Sequence, residues 1–436
     1  MSRLRIGRRR TAALAGVAMA AFALSSCGTA SSEGGGSAGG SGGELTLWTH
    51  NAGNPEELGV VKQIVADYNA SQSKYKVTLQ AFPQESYNDA VVAAATAKKL
   101  PCILDTDAPT VPSWAYAGYL APLDLPQDVV SKQLKSTLGE YQGKLYSVGL
   151  YDAALGLFAH KSALDAAGVR VATVDKPWTA QEFADALAKI KASGKYEYAF
   201  DLGTGDTGTE WWTYGYSPFL QSFGGDLIDR NGFKSADGLL NGDAALRWAA
   251  WFQGLVKNGY SPAKSGSDAF ADFVNGKSAM VWSGIWNAGN LSKLGADGIV
   301  MPPPDFGNGP KIGGGSWQWA VSATCGQKAA ATDYIKFSMD KKYLAEFAEK
   351  QQVIPATEEA AAMVDGWQPG GAKRFFLDES AKYATLRPPT PGYPFVTTTF
   401  AKAAQDIIAG GDPKQILDQA VSQIDANQRS NDYYGF

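Results

Sequence analysis

The sequence predicts an α/β fold divided into two lobes, and three observations lead there. Early in the folded body, strand-like segments alternate with amphipathic helical ones, a pattern that builds a mostly parallel sheet covered by helices. A long extended stretch from Tyr141 to His160 has no break strong enough to end it, as expected of a chain passing from one lobe to another. At 436 residues, 45% hydrophobic and 19% charged, the chain can bury one large core or two medium ones, and disorder is excluded as its main state.

The first 26 residues read as a processing signal. Arg3, Arg5 and Arg8 to Arg10 make a cationic head, and Thr11 to Leu24 is an apolar run of small residues. The run is shorter than the ~20 residues a membrane-spanning helix needs and fits a signal core. Leu24-Ser25-Ser26-Cys27, followed by Gly28, resembles a bacterial lipobox. That resemblance implies removal of residues 1–26, acylation of Cys27 and a lipid-anchored protein on the extracytoplasmic face of the cell membrane. The arginine cluster leaves the general secretory and twin-arginine export routes both open. Residues 27–43, almost entirely Gly, Ser, Ala and Thr, form a flexible tether. Losing the five arginines lowers 39 basic residues to 34 against 43 acidic ones, a net charge of −9. A chain that acidic lacks the concentrated positive charge that nucleic-acid binding requires.

The body opens with Glu44 to Thr49, an alternating strand pattern, and a polar turn from His50 to Pro55. Leu58, Val61, Val65 and Tyr68 then recur at helical spacing. A strand follows at Tyr75 to Phe82, a helix at Tyr87 to Lys98, and a third strand at Cys102 to Leu104 that ends in Asp105-Thr106-Asp107. The polar residues at these strand ends, Asn51, Gln84, Asp105 and Asp107, gather along the edge where open α/β sheets bind ligands. For each residue taken singly, a helix cap or turn is the commoner role.

Tyr141, Gly143, Lys144 and Tyr146 open a stretch that resembles the lobe-to-lobe crossover of the large sugar-binding group of bacterial ABC-importer solute-binding proteins. That group is the family 1, maltose-binding-protein-like lipoproteins, with the pattern Y-x-G-K-x-Y-x-x-P followed by L-x-Y-N-K. This chain departs at Gly149, where proline is usual, and at Ala159-His160 in place of Tyr-Asn. Pro177 to Phe183 is similar to the family's P-x-T-W-x-E-L segment and has its own physics. Thr179 and Glu182 form a capping box, and Trp178 staples against Phe183. Phe270 to Met280 resembles the F-x-x-G-K-A-A-M run, Gly313 to Ala323 the returning crossover, Ala329 to Met339 its following helix, and Val353 to Ala356 a common loop. Leu386 to Tyr393 resembles the R-P-x-x-P-x-Y segment. The likeness runs in order from residue 44 onward. It implies a two-lobed periplasmic-binding-protein fold of type II, a Venus flytrap with crossover strands. The implied division is 44–150 and 316–362 for the N-terminal lobe and 151–315 and 363–436 for the C-terminal lobe.

Gly203 to Gly208 is a literal G-x-G-x-x-G after a strand-like run, with Asp226 near the distance of a ribose-binding acid. Its mid-chain position and the exported context speak against a dinucleotide site. It is better read as a permissive loop presenting Glu210, Trp211, Trp212, Tyr214 and Tyr216 to the cleft, and no cofactor is expected. With Cys27 committed to lipid, Cys102 and Cys325 are either a disulfide or two buried thiols, which look alike in sequence. His50 and His160, the only histidines, stand far apart without metal-ligand spacing, so no zinc or other metal is expected.

The stretch from Val281 to Trp319 carries four of the twelve tryptophans among glycine turns. Neutral saccharides need planar hydrogen-bonding partners for their hydroxyls and aromatic faces for their C–H surfaces. Trp286 and Trp317, then Trp211, Trp212 and Tyr393, are the stacking candidates. Asn51, Gln84, Asp105, Asp107, Tyr151, Asp152 and Arg387 are the polar ones. Trp48, Trp248, Trp251 and Trp319 are assigned to packing. The scarcity of Lys and Arg among these residues argues against a strongly anionic ligand. The expected function is the binding subunit of an ABC importer, a monomer that takes a di- or oligosaccharide between its lobes and passes it to the permease. No catalytic residue is expected. The alternatives are a surface-anchored glycoside hydrolase, with Asp105 and Asp152 or Glu210 and Asp206 as its carboxyl pair, and a structural adhesin.

Overall fold

The computed structural model describes residues 42–205, 208–371 and 373–436. The signal segment 1–26, Cys27, nearly all of the 27–43 tether, and Asp206 lie outside the described residues.

A seven-stranded sheet organises the first lobe. Its strands are β1 (Gly43–Thr49), β2 (Tyr75–Ala81), β3 (Ile103–Asp107), β4 (Leu120–Ala121), β5 (Leu138–Tyr141) and β6 (Lys144–Val148), joined by a late arrival, Trp317–Ser322. β1 pairs in parallel with β2 on one side and β3 on the other. Alternation in β1 sends Leu45 and Leu47 into the core. The helix Pro55–Ser71 covers that face with Val60, Val61, Ile64, Val65 and Tyr68. Burying each aliphatic side chain contributes about 1.5–3 kcal/mol. The helix is started by Asn54, whose side chain accepts the Glu57 N–H (3.2 Å), and by Pro55 in its first turn. Leu58, assigned to the apolar stripe by spacing, is only half buried, because the buried face is set by Val60 and Ile64. The next helix, Gln84–Thr96, begins three residues earlier than its periodicity suggests and leaves Gln84 exposed in its first turn.

The stretch from Tyr141 to His160 carries the chain between sheets, but it is not one extended run. Gln142 and Gly143 both have positive φ (49° and 72°) and fold β5 onto β6 as a hairpin. The chain then passes through β7 (Tyr151–Asp152) into β8 (Leu155–His160). β8 is the centre of a three-stranded antiparallel sheet, flanked by β9 (Met280–Gly284) and β10 (Gly298–Met301). Tyr198 and Asp201 bridge to Ser278 and Val281 beside it. The departure at Gly149 has a local cause: its N–H donates to Thr137 O (2.8 Å), a bond proline could not make. His160 is a satisfied core residue, bonded to Asp297 through Nδ1 and to Phe273 O through Nε2 (2.9 Å each).

The chain returns through β11 (Ile312–Gly314) and β12 (Trp317–Ser322). β12 enters the large sheet antiparallel to β3, with Trp317 opposite Asp107 and Trp319 opposite Asp105. β13 (Ile354–Pro355) pairs with β7, and β14 (Ala384–Leu386) with β11. Cys102 and Cys325, just outside β3 and β12, are joined in a disulfide across 223 residues of sequence. The bond therefore ties together two parts of one sheet between which the whole small sheet is inserted. The capping box is present: Thr179 Oγ1 accepts from the Glu182 N–H (3.2 Å) and Glu182 accepts from the Thr179 N–H (2.9 Å).

Candidate functional site

The ends of β1, β3 and β12 converge on one polar cluster. Just beyond β1, the His50 ring lies face to face with the Trp317 indole, centroids 3.6 Å apart and planes 6° from parallel. His50 Nδ1 meets Asp105 Oδ2 at 2.5 Å, and its Nε2 lies 3.8 Å from Glu57. Asp105 also accepts the Thr49 hydroxyl (3.0 Å), and Glu57 accepts the Tyr151 hydroxyl (2.7 Å). Burial disfavours an imidazolium here, but Asp105 and Glu57 outweigh it, so the His50 pKa is raised. Burial also raises Glu57, against the pull of His50. Asn51 is 2% exposed; its amide nitrogen is directed at the Glu57 carboxylate, and its amide oxygen has no protein partner. It lines a small cavity with Glu57, Asp105, Tyr151, Trp317 and Trp319. A buried amide oxygen without a partner beside so small a cavity suits an ordered water or a single ligand hydroxyl.

A second cluster lies at Asp107. The Arg387 guanidinium grips both Asp107 oxygens (2.9 Å each) and reaches Glu210 (2.6 Å). Glu210 is held further by the Tyr393 hydroxyl (2.7 Å) and the Thr397 hydroxyl (2.8 Å). The guanidinium also sits over the Tyr214 ring, 5.1 Å from its centroid. Burial raises the Asp107 carboxyl to about 6, with Glu210 adding to the rise and Arg387 opposing it. Burial opposes the Arg387 charge, but Asp107, Tyr393 and Glu210 more than offset it. Asp152 is fully buried and accepts the N–H groups of Ala153 (2.8 Å) and Gly315 (3.0 Å), so it braces the crossover backbone.

Trp286 is the most exposed of the nominated aromatics at 43%, standing edge-on to Trp211 (6.2 Å) and beside Tyr214 (6.3 Å). All three belong with the helix Thr209–Ser222 and the end of β9. Trp212, nominated for stacking, turns inward: it is 4% exposed and packs edge-on against Tyr216, one helical turn away. Tyr393 likewise buries its ring and uses its hydroxyl. The residues assigned to the glycine loop are thus carried by a helix, and Tyr216 is core. Gly203 does have positive φ (72°), and its carbonyl accepts the Trp211 indole N–H (2.9 Å). Asp226, the candidate ribose ligand, is ion-paired with Arg230 (2.7 Å) and serves the local fold.

Asn51, Asp105, Tyr151 and Trp317 are therefore brought together. Asp107, Arg387 and Tyr393 form the adjoining cluster, with Asp152 set into the crossover beside it. Trp211 and Trp286 form a separate aromatic group, and Gln84 takes no part in these bonds. Sequence reasoning missed His50, Glu57 and Thr397. The first two carried a faint signal: a histidine next to a strand-end asparagine, and an acid seven residues on, in the first turn of the helix.

Relatives agree with this architecture. An uncharacterized lipoprotein from the oleD 5′ region of Streptomyces antibioticus is 24% identical over 324 residues, 71% of this chain and 70% of its own length. The galactooligosaccharide-binding protein of Bacillus subtilis is 23% identical over 394 residues, 87% of this chain and 88% of its own. Among solved structures, the GacH receptor of Streptomyces glaucescens superposes with a TM-score of 0.72 at 22% identity, covering 90% of this chain and 99% of the receptor. Its likeness establishes the two-lobed type II fold. The family is one of binding proteins and not of enzymes, which sets the hydrolase alternative aside. The family profile spans residues 63–373, well over half the sequence, and the chain belongs to the bacterial extracellular solute-binding proteins.

Proposed function

We propose that the chain is the substrate-binding subunit of an ABC importer. It captures a neutral carbohydrate of di- or oligosaccharide length between its lobes and delivers it to the permease. The observation that carries this reading is the part-buried Trp317 indole beside the unpartnered amide oxygen of Asn51, an apolar face next to a free acceptor. The exposed Trp286 adds a second aromatic surface on the other lobe. The Arg387 charge is already matched by two carboxylates, which disfavours an anionic ligand. The binding partners named for relatives, galactooligosaccharide and acarbose, fit the same chemistry. In this reading the lobes divide at 44–150 with 316–362 and 151–315 with 363–436, the monomer closes by hinge bending, and Cys27 carries the lipid anchor.

A thermal-shift panel of mono-, di- and oligosaccharides, polyols and sugar phosphates tests the ligand class. Saturation at about 100 times Kd adds about 2.7 kcal/mol of stability, a clear rise in melting temperature. Neutral oligosaccharides should give the largest shifts. A panel in which neither sugars nor polyols shift the melt refutes the class. Cys27→Ser should move the protein from the membrane to the soluble fraction.

A further inference from the structure

We propose that His50 is a positioning residue for ligand capture: held between Asp105 and Glu57 and stacked under Trp317, it fixes the indole plane that receives the ligand and ties affinity to its own protonation. This rests on the reading of Trp317 as a ligand platform. His50 itself is 3% exposed, so its ring has no route to a ligand except through the tryptophan.

The geometry over-determines the indole. One face lies on the imidazole, and Tyr87 stands edge-on to Trp317 at 5.7 Å and to His50 at 6.4 Å. The imidazole plane is fixed in turn by carboxylates at both ring nitrogens, Asp105 at 2.5 Å and Glu57 at 3.8 Å. An apolar residue could fill the space, but it would leave those two buried acids facing each other without a cation, which is costly. An imidazolium donates to Asp105, attracts Glu57 across 3.8 Å and holds the indole by cation–π attraction. A platform immobilised before the ligand arrives loses less entropy on binding.

Charge reaches His50 from several elements. β3 supplies Asp105 and, further off, Asp107 with its Arg387 partner, while the helix Pro55–Ser71 supplies Glu57, which is capped by Tyr151 from β7. The helix Gln84–Thr96 contributes Tyr87, whose hydroxyl accepts the Asp105 N–H (3.0 Å). Burial alone would lower the His50 pKa, but the acids prevail and raise it above its ordinary value. Its loss falls on the alkaline side of the ordinary value of 6.5. Above that point the two acids lose their shared cation and the indole loses its charged backing.

The test uses the full chain and two readouts. A protonated imidazole in face contact quenches indole emission, so wild type minus Trp317→Phe isolates the Trp317 signal. That signal should rise with pH with a midpoint above 6.5, and it should be flat in His50→Gln. Affinity for acarbose and for a galactooligosaccharide mixture, measured by calorimetry, should fall about tenfold through the same midpoint. In His50→Gln it should be low and independent of pH. If His50→Gln does not fold, Glu57→Gln serves: it should move the emission and affinity midpoints down together. Emission that titrates while affinity stays flat overturns the proposal, as does wild-type affinity in His50→Gln or midpoints that move apart in Glu57→Gln. A wild type that binds neither probe at any pH, with the emission titration intact, overturns the positioning role and leaves only the stacked pair, whereas the carbohydrate reading stands or falls by the melting panel.

Discussion

Asp107→Ala should be among the most damaging single substitutions in this chain, and the reason lies in what it leaves behind. Arg387 and Asp107 have side chains only 6% and 9% exposed and share two hydrogen bonds of 2.9 Å. The Arg387 Nε already lacks a partner. Removing Asp107 strands a buried guanidinium with only Glu210, itself 32% exposed, to compensate. Breaking a buried pair by deleting one partner costs about 3–5 kcal/mol, whereas replacing both by apolar groups is often near neutral. The double variant Asp107→Ala/Arg387→Met should therefore cost less than the sum of its parts, with a coupling of about 2 kcal/mol or more. Urea unfolding of the four proteins at pH 8 measures this. Arg387→Met should also be pH-sensitive. The folded Asp107 carboxyl is already raised to about 6 with the arginine present, and loss of the arginine raises it further. A raised acid favours the folded state at pH below its unfolded value and loses that contribution as pH climbs through the folded one. Arg387→Met should thus destabilise more at pH 8 than at pH 5. A coupling under about 0.5 kcal/mol, or an Asp107→Ala cost under about 1 kcal/mol, would refute the account of a desolvated clamp.

Three further outcomes are expected. Because the disulfide closes a loop spanning 223 residues, Cys102→Ser/Cys325→Ser should lose up to about 5 kcal/mol on the chain-entropy account, and reductant should lower the urea midpoint of the wild type but not of this variant. Trp286→Ala and Trp317→Ala should each weaken ligand binding more than Trp319→Ala, whose indole is buried and should chiefly cost stability; equal binding losses in calorimetry would return the first two to packing. Thr179→Ala removes the capping box of the helix Ala180–Ala192 and should cost about 1 kcal/mol in urea unfolding with no change in affinity, so an affinity loss would mean the helix is tied to the ligand site.

Much of the frame was legible because it rests on local signals. The alternation in Glu44 to Thr49, the strand at Tyr75 and the Thr179 capping box each appear where short-range rules put them. The crossover was legible as a passage but not as a hairpin, because Gln142 carries no turn signature and its positive φ comes from pairing β5 with β6. The candidate site was half legible. Strand-end acids and tryptophans can be nominated from spacing, but which face of a helix Trp211 and Trp212 occupy depends on tertiary packing. His50 escaped for a similar reason. Its surroundings arise from Asp105 in β3 and Trp317 far along the chain, and only Glu57, seven residues on, lies near it in sequence.

On the reading proposed above, β3 links ligand capture to lobe closure. Asp105 and Asp107 are two residues apart and so project on the same face of the strand. Asp105 anchors His50 beneath Trp317, while Asp107 receives Arg387 from the segment after β14. In the antiparallel register the cross-strand partner of Asp107 is Trp317 itself. The platform and the ion-paired clamp are therefore adjacent on one ladder and cannot shift independently. On the proposed reading, a ligand resting on Trp317 would stabilise the strand position from which Asp107 grips Arg387, and only such differential contact can shift an equilibrium toward a closed form. Loosening the clamp should consequently weaken ligand binding even though the guanidinium is already occupied by carboxylates. The sensitive comparison is Asp107→Asn, which keeps the side-chain shape and one acceptor but removes the charge. Its loss of affinity should exceed that of Asp272→Asn, which breaks the Lys277 ion pair away from the clamp. Equal effects of the two on calorimetric affinity would uncouple the clamp from the platform.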